Sequence, residues 1–349
     1  MLESLRAVAR FFQKTIGWNR IGVLLSLTII VVAADVLFHM LRHLDVAAVI
    51  AAIKAIEYDD VAFAAVFVAG GYFTLTFYDL FALRTIGRNE IPYRIAALSG
   101  FSSYAVGHNI GATVFTGGAV RYRIYSLHGL TAIEVAKICF VAGLTFWLGN
   151  ATVLGLSVFF EPQAAMPIDQ LPAMLNRGFA ALILLALGSY IAWVWSSPRE
   201  IGQGQWKVRL PSGPSTLLQI IIGLCDLGCC TMAMYMLLPN EPNIGFVTLL
   251  VVFVSATMLG FASHAPGGLG VFDAAMLVAL WQFQKEDLVA GLLIFRMLYY
   301  LVPFAIALTI LGLRELMLMR SGKVVPKRQI VLAADPIRSE IDREQSGAG

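Results

Sequence analysis

Long apolar runs separated by short polar segments organise most of this chain. A helix needs about 20 mostly apolar residues to cross the hydrocarbon core of a bilayer. Two apolar segments, 95–120 and 267–284, contain glycine-rich interruptions, so their length alone does not decide whether they cross. The uninterrupted runs predict membrane-spanning helices over 21–41, 61–83, 138–160, 178–196, 215–238, 245–262 and 288–313.

Lysine and arginine accumulate on alternate loops between these predicted helices. One set of loops carries 18 of them, whereas the opposite loops carry four, together with nine acidic residues. Because basic residues accumulate in the cytoplasmic loops of membrane proteins, this pattern predicts that both termini are cytoplasmic. The basic segments are 1–20, 84–94, 121–137, 197–209 and 314–328.

This partition also predicts the path of the two interrupted segments. Residues 95–120 lie between two basic loops, so they enter and leave by the same face as a re-entrant hairpin. Residues 267–284 lie between two helices that both run inward, so they are expected to cross. The predicted fold is an all-α polytopic membrane protein of about eight transmembrane helices plus one re-entrant hairpin.

The apolar and charge patterns divide the chain into three regions. Residues 1–20 form a basic cytoplasmic N-terminus, and residues 21–314 form the transmembrane domain. Residues 315–349 form a charged cytoplasmic tail, which we expect to be disordered because it has too little apolar surface to fold alone.

Composition agrees with this class and excludes others. Hydrophobic residues make up 58% of the 349 residues and charged residues 13%, whereas a soluble domain has about 25% charged residues. The net charge of +3 is too small to indicate a nucleic-acid partner. The four cysteines lie in apolar segments and form neither a zinc pattern nor a disulfide framework, so no metal and no cofactor are expected.

The two glycine-rich interruptions resemble each other. Residues 100–107, GFSSYAVG, align without gaps on residues 260–267, GFASHAPG, with five identities in eight positions. This match indicates an internal repeat. Paired interrupted helices in the two halves of a transporter mark its binding site, and non-helical backbone at membrane depth occurs only where protein buries it or where it lines a watered cavity. We therefore expect these breaks to bind or transfer a polar group.

Three motifs carry a family resemblance, namely HNIGATVFTGGAVRYRIYSLHGLT, FWLGN and SHAPGGLGVFDA. Together they resemble the lysylphosphatidylglycerol synthase transmembrane region, the integral part of the bacterial multiple peptide resistance factor, which is shared with stand-alone inner-membrane proteins. The resemblance covers about residues 15–318 and implies a lipid flippase of the bacterial inner membrane. The separate aminoacyl-transferase domain of the full-length family does not follow here, so the chain is expected not to be an enzyme.

Around the first interruption, several residues are candidates for contact with a lipid headgroup. Arginines at the cytoplasmic rim suit phosphate, although basic residues at that boundary are expected from topology alone. Glycines expose backbone N–H groups at a helix start, or they allow close packing of helices. Polar side chains at the hairpin tip bind the headgroup or satisfy neighbouring backbone. The candidates are Arg121, Arg123, Gly117, Gly118, His108 and Asn109.

A second group of candidates lies at the second interruption and in the spans near it. Asp273 is placed to cap the helix that follows the glycines. Arg296 is an intramembrane arginine, which usually faces a cavity or a paired acid, and Asp226 is the expected partner. Arg296 either balances this acid or coordinates the phosphate. The candidates are His264, Gly267, Gly268, Asp273, Arg296 and Asp226.

The resulting functional prediction is translocation or binding of an anionic or aminoacylated membrane lipid through a groove between the two breaks. The main alternative is a secondary transporter of a small solute. A non-catalytic membrane partner of a lipid-synthesis enzyme is a third reading, and an intramembrane lipid-modifying enzyme is a minor one. The expected partner is a membrane phospholipid, with a lipid-synthesis enzyme and a second copy of the chain left open.

Topology is testable by cysteine labelling in intact cells. A cysteine in place of Gln163 should react with a membrane-impermeant thiol reagent, because residues 161–177 are predicted to lie outside. A cysteine in place of Gln203 should react only after the cells are opened. The reverse labelling pattern would overturn the assignment of the faces.

Overall fold

The computed structural model describes residues 45–320, together with isolated positions between 31 and 42. The predicted N-terminus 1–20, most of the predicted span 21–41 and the tail beyond residue 320 lie outside the described residues. Contacts divide the chain into two units, Met1–Ile310 and Leu311–Gly349. The second unit is described only as the end of the last helix, which continues past residue 314 to Arg320.

Residues 45–320 are helical apart from loops and one pair of two-residue strands. Six apolar segments in this range are long enough to cross a membrane, and they confirm the all-α polytopic class. They are α2 (Tyr58–Thr85), α5 (Ala132–Phe160), α7 (Ala173–Ser196), α8 (Gly213–Met236), α9 (Phe246–Ser263) and the segment Lys285–Leu318. The last segment comprises α11 (Lys285–Arg296), a π-helical stretch (Met297–Leu301) and α12 (Val302–Arg320).

The shorter helices connect or accompany these segments. They are α1 (Val46–Ala55), α3 (Tyr93–Ile110), α4 (Thr113–Tyr125), α6 (Met166–Asp169) and α10 (Val271–Ala279). Helix α1 precedes α2 along the chain, and it packs against α11. Single 3-10 turns lie at Ser126–His128, Pro162–Ala165, Gly204–Trp206 and Pro266–Gly268.

Helices α3 and α4 pack against each other as the first hairpin. The chain reverses at Gly111 and Ala112, whose φ angles are +83° and +45°. A Cβ at Gly107 would lie 2.9 Å from the Thr113 side chain, so this glycine lets the two arms approach closely. Helix α4 has 13 residues, or about 20 Å, which is shorter than the hydrocarbon core. A hairpin therefore forms where the charge pattern predicts one.

Helices α9 and α10 form a second hairpin, so the prediction that 267–284 crosses the membrane is wrong. Gly268 packs on Gly260, and the Phe272 ring lies 5.4 Å from the Phe253 ring, so the two helices run antiparallel. Helix α10 has nine residues, about 14 Å, which cannot span the core. The apolar pattern continues past Ala279, but the backbone leaves the helix at Leu280.

The tip of the second hairpin packs against the interior of the last span. Its Gly267 packs against the Tyr300 ring, which lies about 22 Å along the helix that begins at Lys285. Between the first hairpin and the second, the described chain crosses through α5, α7 and α8. If each of these helices crosses once, the crossings are odd in number, and we expect the two hairpins to enter from opposite faces. We call the face with segments 84–94, 121–137 and 197–209 the basic face.

A small strand pair lies on the basic face between α7 and α8. Glu200–Ile201 pairs antiparallel with Val208–Arg209. The ammonium of Lys207 lies 2.6 Å from a carboxylate oxygen of Glu200, and this hydrogen bond lowers the pKa of the Glu200 carboxyl. The loop thus has a defined backbone rather than a free linker between two spans.

Helices α5 and α8 cross at a contact between two glycines. A Cβ at Gly149 would lie 2.9 Å from the Gly223 Cα, closer than side chains tolerate. One turn away on each helix, Gln219 Nε2 donates a 2.8 Å hydrogen bond to Thr145 Oγ1. Small residues at the crossing bring the backbones together, and the polar pair stabilises the contact in an apolar medium.

This crossing gives a matched stability test on one helix. Gly149→Ala should lower the free energy of unfolding by about 1–3 kcal/mol, since the methyl group overpacks the contact. Gly143→Ala is the control, because nothing lies near a Cβ there, and alanine favours the helix by about 0.5–1 kcal/mol. Thermal unfolding in detergent should rank Gly149→Ala below wild type and Gly143→Ala at or above it. Equal effects would exclude a tight crossing.

Candidate functional site

The two glycine breaks lie in contact with each other. A Cβ at Gly111, in the first hairpin, would lie 3.0 Å from the Pro266 Cα of the second hairpin. A Cβ at Gly267 would lie 3.2 Å from the His108 carbonyl oxygen. Both glycines have positive φ, a conformation that glycine adopts at no steric cost. The two interruptions therefore form one structural site, where the hairpin tips meet.

A π-helical stretch of the last span faces this site. The wider turn over Met297–Leu301 leaves backbone carbonyls without their usual helical partners, and such turns are frequent at functional sites. The Tyr72 hydroxyl donates a 2.9 Å hydrogen bond to the Tyr299 carbonyl. The Asn109 amide donates a 3.0 Å hydrogen bond to the Tyr300 carbonyl. Helix α2 and the first hairpin are thus fixed to the last span at its irregular point.

Arg296 forms a two-pronged ion pair with Asp273. Its Nε lies 2.8 Å from Asp273 Oδ1, and its Nη2 lies 2.6 Å from Asp273 Oδ2. Nη1 donates to the Gly267 carbonyl at 3.2 Å. Asp273 also accepts a hydrogen bond from the Gly270 N–H at 3.0 Å, which confirms its capping role. The expected pairing of Arg296 with Asp226 is wrong. The side chain of Asp273, the aspartate that follows the glycine break, reaches the Arg296 guanidinium instead.

A cavity of about 470 Å³ opens at this ion pair. Its polar groups come from the first break, the second break and the last span. Most of the wall is apolar, and four of its residues are 45% to 59% exposed, namely Leu269, Leu293, Met297 and Leu301. The lining consists of Ile53, Asn109, Pro266, Gly267, Leu269, Leu293, Ile294, Arg296, Met297, Tyr300 and Leu301.

A second arginine, Arg121, is buried and does not lie at the rim, so its predicted location is wrong. Only 3% of it is exposed. Its Nη2 and Nε lie 2.8 and 2.9 Å from Asp79 Oδ1, and the Tyr125 hydroxyl donates to Asp79 Oδ2 at 2.7 Å. The guanidinium also lies over the Tyr104 ring at 4.8 Å. The position of Arg121 beside a basic loop predicts that it lies at the cytoplasmic rim. In the structure, its side chain turns inward to form the ion pair.

Asp226 lies midway along α8 and away from both arginine pairs. It is 5% exposed, and its Oδ2 accepts a 3.2 Å hydrogen bond from the Tyr78 hydroxyl. The Cys230 thiol lies 3.9 Å from its Oδ1. The surroundings of this acid are therefore hydroxyl and thiol groups rather than a cation.

The other predicted residues divide between the cavity and packing. Asn109 and Gly267 line the cavity, whereas Gly268 packs on Gly260. Gly117 packs against the Ser103 carbonyl and Gly118 near the Cys139 sulfur, which is the packing alternative for these glycines. Arg123 is half-buried on α4, outside the cavity lining.

The two histidines differ in environment. His108 stacks on Tyr299 at 5.8 Å and also contacts Tyr104 and Phe261. Its Nδ1 is buried without a hydrogen-bond partner among the described residues. His264 is exposed, has a φ of +55° and ends α9. It is therefore the residue at which the second hairpin begins its turn.

Several residues of the site escape sequence reasoning. Tyr72, Tyr299 and Tyr300 belong to apolar runs and read as interface or packing residues. Their role depends on the π-helical turn, which leaves no signature in hydropathy. Asp79 carries a usable signal, since an acid inside an apolar span needs a partner, but the sequence does not indicate that Arg121 provides it.

These features define a polytopic membrane protein with a cavity where two glycine-broken hairpins meet. The chain is 30% identical to slr0712 of Synechocystis sp. over 254 residues, covering 70% of this chain and 76% of that protein. It is 29% identical to the inner membrane protein YbhN of Escherichia coli over 238 residues, covering 66% and 72%. The chain belongs to the family of these proteins, the lysylphosphatidylglycerol synthase transmembrane-region family.

A shorter match extends to a larger protein. Phosphatidylglycerol lysyltransferase of Staphylococcus haemolyticus is 40% identical over 68 residues, 19% of this chain and 8% of that protein. No family model matches the chain. The apolar helices and the relationship to YbhN identify it as an integral protein of the bacterial inner membrane.

The Arg296–Asp273 pair gives a stability prediction by double substitution. Arg296→Gln alone should lower the free energy of unfolding by about 1–3 kcal/mol, because it leaves a mostly buried carboxylate without its partner. Arg296→Gln combined with Asp273→Asn should recover much of this loss, since removal of both charges is often tolerated. Thermal unfolding in detergent measures both. Additive losses in the double variant would contradict a coupled pair.

Proposed function

We propose that this protein binds a polar, anionic membrane lipid at the cavity between the two hairpins and moves its headgroup between the leaflets. The observation that carries the proposal is a partly exposed guanidinium, Arg296, in an apolar cavity near the middle of the membrane. A charge costs at least about 2.5–3.5 kcal/mol at that depth. A fixed counter-charge lowers this cost for a passing phosphate.

The donor geometry of Arg296 supports a phosphate ligand. A guanidinium has five N–H groups, and those directed at Asp273 and Gly267 use three of them. Two N–H groups remain for a ligand, one on each terminal nitrogen. Asp273 neutralises the arginine, so the headgroup is held by hydrogen bonds without the full attraction of an unpaired cation. Such a site binds weakly enough for the lipid to leave.

The cavity rim favours a lipid over a soluble solute. Leu269, Met297 and Leu301 are each more than half exposed, and at this depth an exposed apolar side chain faces acyl chains. Apolar tails can remain in the bilayer beside these residues while the headgroup enters. A site for a hydrophilic solute would instead have a polar vestibule open to water on one face.

We also propose an orientation in the membrane and partners for this protein. The basic face is cytoplasmic, so the first hairpin enters from the cytoplasm and the second from the opposite side. The partner is an anionic phospholipid, supplied by a membrane-bound enzyme of lipid synthesis. The proposed activity is binding and translocation, without aminoacyl transfer.

Leaflet exchange of a labelled phosphatidylglycerol tests the function. Purified protein in vesicles should accelerate loss of the fluorescence that a membrane-impermeant quencher removes, without ATP. The stable double variant Arg296→Gln/Asp273→Asn should lose about 100-fold or more in rate, because two charge-assisted hydrogen bonds to phosphate are removed. Arg94→Gln is the control, since it removes an exposed arginine at the start of the first hairpin.

Two results would overturn this function. Uptake of a small soluble solute without lipid exchange would assign the protein to the secondary transporters. Conversion of the lipid into a new species would make it an enzyme. Full exchange activity in the double variant would keep the lipid function but place the headgroup away from Arg296.

A further inference from the structure

Asp226 differs from two other acids that the structure describes inside the helical domain. Asp79 and Asp273 each form a two-pronged ion pair with an arginine. Asp226 accepts a hydrogen bond from Tyr78 and lies beside the Cys230 thiol. Among the described residues, no lysine, arginine or histidine forms a hydrogen bond or ion pair with it. It is a buried acid whose charge has no counter-charge.

The groups that face Asp226 are all neutral hydroxyls and thiols. Helix α2 contributes Tyr72 and Tyr78, α3 contributes Tyr104, and the π-helical stretch contributes Tyr299. Its own helix contributes Cys229 and Cys230. An unpaired carboxylate in such an interior is costly, and a bound proton removes that cost. Intramembrane acids of this kind mark proton relays in pumps and transporters.

Polar side chains lead from Asp226 toward the basic face. The Tyr78 ring lies 5.9 Å from the Tyr104 ring, which carries the Arg121 guanidinium. Arg121 holds Asp79, and Asp79 accepts from Tyr125 at the end of α4 on the basic face. The polar column thus extends from Asp226 to Tyr125, a buried residue at the end of α4 next to the loop of the basic face.

Two serines of α3 add further polar groups to this column. The hydroxyls of Ser102 and Ser103 are fully buried and have no hydrogen-bond partner among the described residues. Both precede Tyr104 directly in the first hairpin. Buried polar groups of this kind bind internal water, which conducts protons between side chains that do not touch.

Contacts through α2 and the π-helical stretch connect Asp226 to the wall of the cavity. A Cβ at Gly71 would lie 3.7 Å from Asp226 Oδ1, and the next residue, Tyr72, donates to the Tyr299 carbonyl in the π-helical stretch. The following residue of that stretch, Tyr300, lines the cavity. A charge that appears on Asp226 therefore acts on the residues that hold the cavity wall.

We infer that Asp226 is the binding site of a coupling proton. Its carboxylate accepts one proton from the basic face through the column, and release of this proton restores the carboxylate. Lipid movement through the cavity is coupled to this exchange. The coupling rests on the proposed lipid translocation, whereas the proton site itself does not.

Infrared spectroscopy of the full-length protein in vesicles tests the proton site independently of transport. Wild type with isotope-labelled aspartate should show the carbonyl band of a neutral carboxylic acid at neutral pH. Asp226→Asn should abolish this band, and Asp226→Glu should move it to the glutamate position. The control Glu161→Gln, which changes an exposed acid, should leave it unchanged. Absence of the band in wild type, or its survival in Asp226→Asn, would overturn the proposal.

The coupling is tested by the distribution of labelled phosphatidylglycerol under an imposed pH gradient. Wild type should shift the ratio between leaflets by up to about tenfold per pH unit, for one proton per lipid. Asp226→Asn should give the same ratio with and without the gradient. If wild type exchanges lipid but ignores the gradient, the coupling is wrong and the lipid function stands. If it exchanges no lipid while the infrared band is present, the proposed function fails and the proton site stands.

Discussion

Hydrocarbon offers no hydrogen bonds, and the architecture of this protein follows from that constraint. Each helix break inside the membrane frees backbone groups and must supply their partners from protein. The carbonyls of the π-helical stretch receive the Tyr72 hydroxyl and the Asn109 amide. The break at Gly267 receives Arg296, and Asp273 caps the helix that restarts. Two of the residues that satisfy the broken backbone, Asn109 and Arg296, also line the cavity.

Much of the membrane organisation is predictable from the sequence because hydropathy and charge act over long segments. The spans and the first hairpin follow from apolar length and from the distribution of lysine and arginine. The second hairpin does not, because the apolar run continues through Trp281, past the end of α10 at Ala279. Hydropathy measures the preference of a segment for lipid, and it does not register where a helix ends.

The site is predictable in its residue types but not in its pairings. Three features indicate a functional site, because each is energetically costly inside a membrane. They are glycines that break an apolar run, an intramembrane arginine and buried acids. Their partners depend on which helices are neighbours. Asp226 and Arg296 lie at similar depths in their predicted spans, so the sequence predicts that they pair. In the structure, Asp273 reaches Arg296 from the adjacent hairpin. Arg121 turns inward and pairs with Asp79. These choices are made by tertiary packing.

The contact of Gly111 with Pro266 has a mechanical consequence. The tips of the two hairpins pack backbone to backbone, and in each contact one partner is a glycine with no side chain. Neither tip can advance toward the other without a clash between backbones. The position of each hairpin therefore sets a limit on the position of the other.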